Sequence, residues 1–341
     1  MKVLIDINHV AHLNFFKPVI KKIQKAGYPL YISYLKRGRL EEIINKELPD
    51  IQKSRSGIHR GTKFSIIFEA NILKFFSQLF FIYQNNIDIG LSCGGFVNGA
   101  VFKLLLRPNI QFDDDPERKK NVFLEKLTAT KLFFPPVIQS NSNKIHLYNA
   151  LKEWAYLSPD YFSPHKNVLN NLLLEPKNYI FVREISTGSL NYMSQEKNII
   201  LSIARKLIQN ERVVLSLEDK SKKHLYPEEW ILLKEPVEDI HSLIYYSKLI
   251  ISSGDSMARE GALLGIPAIY CGTRQMKANE ILIHKNRLFH VKVSEVPALI
   301  RQINNQYGSI WQDQELFRQA LLKEWDDVPE FILGIINEFN K

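Results

Sequence analysis

Ser252-Ser253-Gly254-Asp255-Ser256-Met257-Ala258-Arg259-Glu260-Gly261-Ala262-Leu263-Leu264-Gly265-Ile266-Pro267 follows directly on the apolar run Leu249-Ile250-Ile251. The run reads as a buried strand, the small residues as a tight turn, and Ser256 onward as a helix closed by Gly265-Ile266-Pro267. Two readings fit this spacing. In one, Ser caps the helix and the turn is only a turn. In the other, the small residues let a ligand approach the backbone, the helix start turns its N–H groups toward a phosphate, and Glu260, about one turn in, accepts bonds from a ribose.

The same strand–turn–helix alternation runs outward in both directions. Short apolar, β-rich runs stand at residues 2–7, 29–33, 87–92, 109–112 and 131–134, and again at 179–182, 212–216, 249–252 and 268–271. Amphipathic helical patterns, such as 15–26 and 197–209, lie between them. This alternation predicts right-handed βαβ units around parallel sheets. Occurring twice, it predicts an α/β chain of two doubly wound, Rossmann-like domains facing each other across a cleft. Pro159 and Pro164 interrupt the pattern, which sets the expected boundary at 158/159.

Composition agrees with two such domains. The chain has 341 residues, 45% hydrophobic and 24% charged, which excludes a disordered or fibrous chain. Two cysteines, Cys93 and Cys271, make no disulfide framework and no metal cluster, and fit a reducing, cytoplasmic setting. Lys and Arg exceed Asp and Glu by 45 to 36, a net charge of +9 that favours an anionic partner. The basic residues are scattered and no nucleic-acid-binding module is present, so nucleic acid is not expected as the partner. The most apolar stretch, residues 65–83, is interrupted by Glu69, Asn71, Lys74, Ser77 and Gln78, so no membrane span is expected. Its aromatic residues, beside Lys63 and Lys74, fit either a buried core helix or one that dips into a membrane interface.

In open parallel sheets ligands bind at the carboxyl ends of the strands, so the loops that follow them carry the candidate chemistry. After the first strand come Asn8-His9-Val10-Ala11-His12. His12 is a candidate general base. Asn8 and His9 are candidate contacts to a sugar or acceptor, unless Asp6 and Asn8 only cap the next helix. Cys93-Gly94-Gly95 follows the third run, and the paired glycines permit close backbone approach; Cys93 reads as a small buried residue. Asp113-Asp114-Asp115-Pro116 follows the fourth, with Asp114 a candidate catalytic carboxylate and Asp113 an acceptor-side one. Arg183-Glu184 follows the first strand of the second half. Arg183 suits a bidentate phosphate contact, or else a surface ion pair with Glu184 or a neighbour. Ser186-Thr187-Gly188-Ser189 reads as a mobile loop able to close over phosphates.

These residues carry a resemblance. A Gly/Ser-rich turn, then Glu260, then Leu264-Gly265-Ile266-Pro267 is similar to the donor-nucleotide motif of glycosyltransferase-B folds, found in lipid-II-forming N-acetylglucosaminyltransferases and in UDP-N-acetylglucosamine 2-epimerases. Over nearly its whole length the chain resembles the "domain of unknown function 354" family, through Ile5-Asp6-Ile7, His12 with Phe15-Phe16-Lys17-Pro18, Phe112-Asp113-Asp114, Tyr148-Asn149, Lys152-Glu153, Ala155-Tyr156-Leu157, Val182-Arg183 and the stretch quoted first. The resemblance implies a glycosyltransferase-B fold. It divides the chain into an acceptor-side domain at 1–158, a nucleotide-sugar-binding domain at 159–312 and a helical tail, 313–341, that crosses back to the first domain.

It also implies roles. Glu260 holds the ribose, Arg183 with Glu184 and the Ser253, Gly254, Asp255, Ser256 turn meets the diphosphate, and His12 lies near the transferred sugar. No metal and no cofactor are expected, with a UDP-sugar as co-substrate. The implied function is transfer of a nucleotide-activated sugar to a glycan or lipid-linked acceptor in surface polysaccharide or glycolipid assembly, in the cytoplasm or at the inner membrane face. Two departures from the pattern bear on this. The loop at Asn8 lacks the Gly-rich sequence of the transferases. Gln111-Phe112-Asp113-Asp114-Asp115 stands where the epimerases carry His-x-Glu-Ala-Gly-Leu-Arg. The alternatives are a UDP-sugar 2-epimerase and a non-catalytic nucleotide-sugar-binding protein.

Overall fold

The computed structural model describes residues 1–60, 65–139, 142–186, 192, 195–208, 211–234, 237, 239–305 and 307–340, without the side chains of 66–67, 205–208 and 307–312. The chain divides into two compact units, Met1–Tyr156 with Trp325–Lys341, and Leu157–Glu324. Lys63 and the 187–189 part of the loop read as mobile lie outside the described residues.

Among the described residues the first unit holds seven strands: β1 (Val3–Ile7), β2 (Leu30–Lys36), β3 (Gln52–Ile58), β4 (Ile89–Cys93), β5 (Asn109–Phe112), β6 (Lys131–Phe134) and β7 (Ile145–Leu147). All pair in parallel in the order β3-β2-β1-β4-β5-β6-β7. Every residue of β1, β4 and β5 is buried, as expected of strands covered by helices on both faces. The strand order reverses between β1 and β4, so the chain leaves these two neighbours in opposite directions and opens a crevice at their carboxyl ends. The residues after β1 and β4 flank that crevice.

The second unit repeats the plan with β8 (Ile180–Glu184), β9 (Val213–Leu217), β10 (Ile231–Leu232), β11 (Leu249–Ser252), β12 (Ala268–Tyr270) and β13 (Leu288–His290), parallel in the order β10-β9-β8-β11-β12-β13. Its switch point lies between β8 and β11, where Ser252 pairs with Arg183. The stretch quoted first thus leaves the sheet at the place where the topology opens it.

The nine strands expected from the sequence are all present. Four more, β3, β7, β10 and β13, escaped it because each lies at an edge or next to one and is short or polar. The tail differs from expectation. Helix Tyr307–Glu324 stays with the second unit, where Gln314 donates to the Leu264 carbonyl at 2.7 Å and Arg318 to the Leu157 carbonyl at 3.1 Å. Only from Trp325 does the chain rejoin the first unit. There Trp325 meets Trp154 edge-on and helix Val328–Glu338 packs on helix Val10–Lys25. Among the described residues no helix is long and apolar enough to cross a membrane.

Candidate functional site

In the second unit the helix Asp255–Leu263 begins straight after β11. Its N-cap is Gly254, which offers no side chain, and among the described residues no side-chain cap bond is made there. Those groups have no partner within a helix, so they remain directed at whatever lies beyond the end. A Cβ on Gly254 would stand 2.7 Å from Ile185 Cγ2, so only glycine lets the turn pass the loop after β8. Ser252 Oγ donates to the Gly254 carbonyl at 2.6 Å, and Ser253 Oγ accepts from Ile185 N at 2.9 Å. Gln195, buried, donates to the Ser253 carbonyl and accepts from Thr273 N, pinning the loops after β11 and β12 together.

Around this helix start lie three kinds of group. Arg183, at the end of β8, donates to Ser216 Oγ at 2.9 Å and approaches Glu218 at 3.8 Å. Ser256, in the first turn, is exposed. Glu260, one turn on, is 8% exposed, and its Oε1 lies 3.4 Å from His241 Nε2; the His241 ring stands edge-on to Phe162.

Three residues expected to touch the ligand do otherwise: Ser253 is fully buried with its hydroxyl held by Ile185 N, and Glu184 and Asp255 turn inward. Glu184 is 1% exposed; it turns into the core, where it accepts bonds from Ile200 N at 2.9 Å and Tyr226 Oη at 3.0 Å, and burial raises its pKa. Consecutive strand residues point to opposite faces, so Arg183 and Glu184 could not both meet one ligand. Asp255 is 1% exposed. It accepts from Tyr192 Oη and from Arg259 at 3.0 Å, with Arg274 at 3.8 Å. These partners hold its pKa down against its burial. Asp255 therefore orders the helix start, and with two arginines beside one carboxylate this trio carries a net positive charge.

In the first unit the loop after β1 is built on Asp6, fully buried. It does not cap the helix as one reading had it. Asp6 accepts from Lys74 Nζ at 2.6 Å, Gln78 Nε2 at 2.7 Å, Ser33 Oγ at 2.7 Å and Asn8 Nδ2 at 3.0 Å. Lys74 also donates to Asn8 Oδ1 at 2.5 Å, which fixes the Asn8 amide. His9 caps helix Val10–Lys25 by accepting from Ala11 N at 3.2 Å. His12 Nδ1 accepts from Asn8 N at 3.4 Å, which places the ring proton on Nε2. Burial, with Lys152, His9 and Lys74 nearby, holds the His12 pKa well below 6.5, so the ring is neutral at pH 7.

The three aspartates after β5 separate into different roles. Asp114 pairs with Lys152 at 2.7 Å and raises the affinity of His12 for a proton. Asp113 Oδ1 accepts from Asp114 N, Asp115 N and Arg118 Nη2 at 2.8, 3.2 and 2.9 Å. Asp115 pairs with Arg118 at 2.8 Å. Glu125 faces Asp113, and burial followed by the Asp113 charge pushes its pKa up to about 9, so Glu125 keeps its proton at pH 7. Gly94, with φ of 58°, stands over Arg118 and Glu125 in a conformation that favours glycine. A Cβ on Gly95 would fall 2.5 Å from Ser92 Cβ, so packing inside the unit accounts for that glycine. Cys93 is buried, and its raised thiol pKa makes it inert. Among the described residues no three His, Cys, Asp or Glu side chains are grouped to hold a metal ion.

The first unit thus gathers Asn8, His12, Asp114 and Lys152, and the second gathers Arg183, Ser256 and Glu260. Lys152 was legible only as part of the resemblance and Lys74 only as an interruption of an apolar stretch. Arg274 and His241 carry no local motif; only the fold brings them to Asp255 and Glu260.

The family described as "Protein of unknown function (DUF354)" matches residues 129–340 of this chain. The uncharacterized protein MJ0665 of Methanocaldococcus jannaschii is 23% identical over 323 residues, 90% of this chain and 92% of that one. Several solved structures are similar over almost all of the chain. The S. aureus MnaA–UDP co-structure is 14% identical with a TM-score of 0.72, over 99% of this chain and 97% of the other. UDP-GlcNAc 2-epimerase from Neisseria meningitidis bound to UDP-GlcNAc is 13% identical with a TM-score of 0.69, over 99% and 100%. The glycosyltransferase VinC in complex with dTDP is 11% identical with a TM-score of 0.66, over 99% of each. These likenesses show the fold: two Rossmann-like domains of the glycosyltransferase-B type.

Proposed function

We propose, on the premise that this chain belongs to the DUF354 family and has a glycosyltransferase-B fold, that it is a UDP-sugar-dependent glycosyltransferase. The observation that carries this reading is the helix start at Gly254–Ser256. It lies at the switch point of a parallel sheet with glycine as its cap residue, Arg183 on the neighbouring strand and Glu260 one turn in. That combination suits a nucleoside diphosphate: N–H groups and Arg183 for the phosphates, and a carboxylate for the ribose hydroxyls. The solved relatives with UDP, UDP-GlcNAc and dTDP support the same class of ligand.

In the reaction, an acceptor hydroxyl oxygen attacks the anomeric carbon and the bond from that carbon to the phosphate oxygen breaks. Arg183, Arg274 and the helix N–H groups take up the charge developing on the diphosphate, so this scheme calls for no metal. The acceptor proton passes to His12. The ring is neutral and therefore competent as a base, and its Nδ1 lone pair is engaged only by the long bond from Asn8 N. Asp114 stabilises the imidazolium that forms. The acceptor class we assign is a hydroxyl of a glycan or a lipid-linked sugar, as surface polysaccharide or glycolipid assembly would present.

The test is incubation with a panel of UDP-sugars, with and without glycan acceptors. The expected result is UDP release that requires acceptor and falls by about 10²–10⁴-fold in His12→Ala. A 2-epimer of the UDP-sugar formed without acceptor would overturn transfer in favour of epimerisation. UDP release equal in His12→Ala and wild type would remove His12 from the scheme.

A further inference from the structure

Helix Leu73–Asn85 buries Phe81 and Ile82 in the core but also buries polar residues and exposes aromatic ones. Its inner face carries Lys74 and Gln78, both buried and bonded to Asp6. Its outer face carries Phe76, Phe80 and Tyr83, which are 62%, 68% and 69% exposed. Phe68 and Ile72, also exposed, continue the same four-residue spacing through the preceding helical turns Ser65–Ile72. Isolated exposed apolar residues are ordinary, but an aromatic stripe along one helix is not.

The stripe does not stand alone. Helix Phe96–Leu104 packs beside Leu73–Asn85, and helix Lys119–Thr128 packs beside Phe96–Leu104. The last of these exposes Phe123, Leu124 and Leu127, while Val122 and Glu125 face inward. An open apolar groove of about 320 Å³, lined by Ile72, Phe75, Phe76, Phe96, Val97 and Ala100, runs between the first two helices. The exposed charges on the three helices are basic, with Glu69, paired to Arg60, and exposed Glu117 at their margins. Lys103, Lys119 and Lys120 are exposed, and the one carboxylate that the three helices contain, Glu125, is buried.

We infer that this three-helix face of the first unit docks on a membrane surface that carries anionic lipid. Phenylalanines enter the boundary between headgroups and acyl chains. The lysine stems lie along that boundary and their ammonium groups meet lipid phosphate. The lysines argue against a protein occupant, because lysine is depleted from protein–protein interfaces. The helix that carries the stripe also holds, through Lys74, the Asn8 loop, so docking and the first unit's candidate site share one element.

The test is sedimentation of the full chain with vesicles of phosphatidylcholine alone or with about 30% phosphatidylglycerol, without nucleotide. The wild-type chain is expected to sediment with the anionic vesicles, and less so as salt is raised. Phe76→Glu/Phe80→Glu should reduce partitioning by about tenfold or more. Lys119→Glu/Lys120→Glu should abolish the preference for anionic lipid. Both sites are exposed, so both variants should keep the wild-type melting temperature. Absence of wild-type binding, or equal binding by the phenylalanine variant, would overturn the inference. So would a wild-type dimer that this variant makes monomeric, since a second copy would then cover the face. Because no nucleotide is present, this outcome is independent of the donor-site reading.

Discussion

Glu125 and Asp113 are two buried carboxyl groups near each other, and burial with their mutual repulsion raises the pKa of both, keeping Glu125 protonated. Asp113 takes the charge because two backbone N–H groups and Arg118 bond it, and Glu125 keeps the proton. The consequence for stability has a definite sign. A carboxyl whose pKa rises from 4.5 in the unfolded chain to about 9 when folded contributes fully below pH 4.5. That contribution is lost progressively as pH rises through about 9. Glu125→Gln keeps the donor and removes the titration. Unfolding midpoints at pH 5, 7 and 9 should therefore fall more steeply for wild type than for Glu125→Gln; parallel curves would contradict the protonated Glu125. At this scale the sequence displayed residue types but not their partners. His12 and Arg183 were legible from their place after a strand. Glu184 and Asp255 looked equally placed, yet side-chain alternation and the arginines at 259 and 274 turned them to structural work. Lys74, 68 positions from Asp6, could be assigned only by the fold.

Helix Asp255–Leu263 is the element on which the donor reading rests. Its turn, start and close were legible because glycine, serine and the Gly265-Ile266-Pro267 stop are local signals that tertiary packing seldom overrides. The helix Leu73–Asn85 was legible in position but ambiguous in orientation. An apolar stretch with two polar residues on one face looks like a core helix, and only the fold shows that Lys74 and Gln78 are buried beside Phe81 and Ile82 while Phe76, Phe80 and Tyr83 are exposed. The first of these helices gives a prediction with opposite signs in two measurements. Ser256→Asp places a second carboxylate in the first turn. It should stabilise the helix by about 0.3–1 kcal/mol through the dipole, a small rise in melting temperature. The same charge should repel a diphosphate and weaken UDP binding by about tenfold or more. Unchanged UDP affinity in this variant would move the phosphates away from the helix start.

At the scale of the whole molecule, two parallel sheets were legible because their central strands are short, mainly apolar runs repeated with helices between them. The edge strand β3, with sequence Gln52-Lys53-Ser54-Arg55-Ser56-Gly57-Ile58, was not, because one side of an edge strand faces solvent and its composition is that of a loop. The return of the chain at Trp325 rather than 313 was hidden for a related reason: helix Tyr307–Glu324 has no local sign of which unit it covers. The architecture makes one claim central, that the second unit binds a nucleoside diphosphate at the β8–β11 switch point. The direct measurement is isothermal titration of UDP into the wild-type chain and into Arg183→Ala and Glu260→Ala. Binding to wild type is expected, weakened by about tenfold or more in each variant as a charge-assisted contact is lost. UDP binding of equal strength in all three proteins, or none to the wild type, would contradict the account.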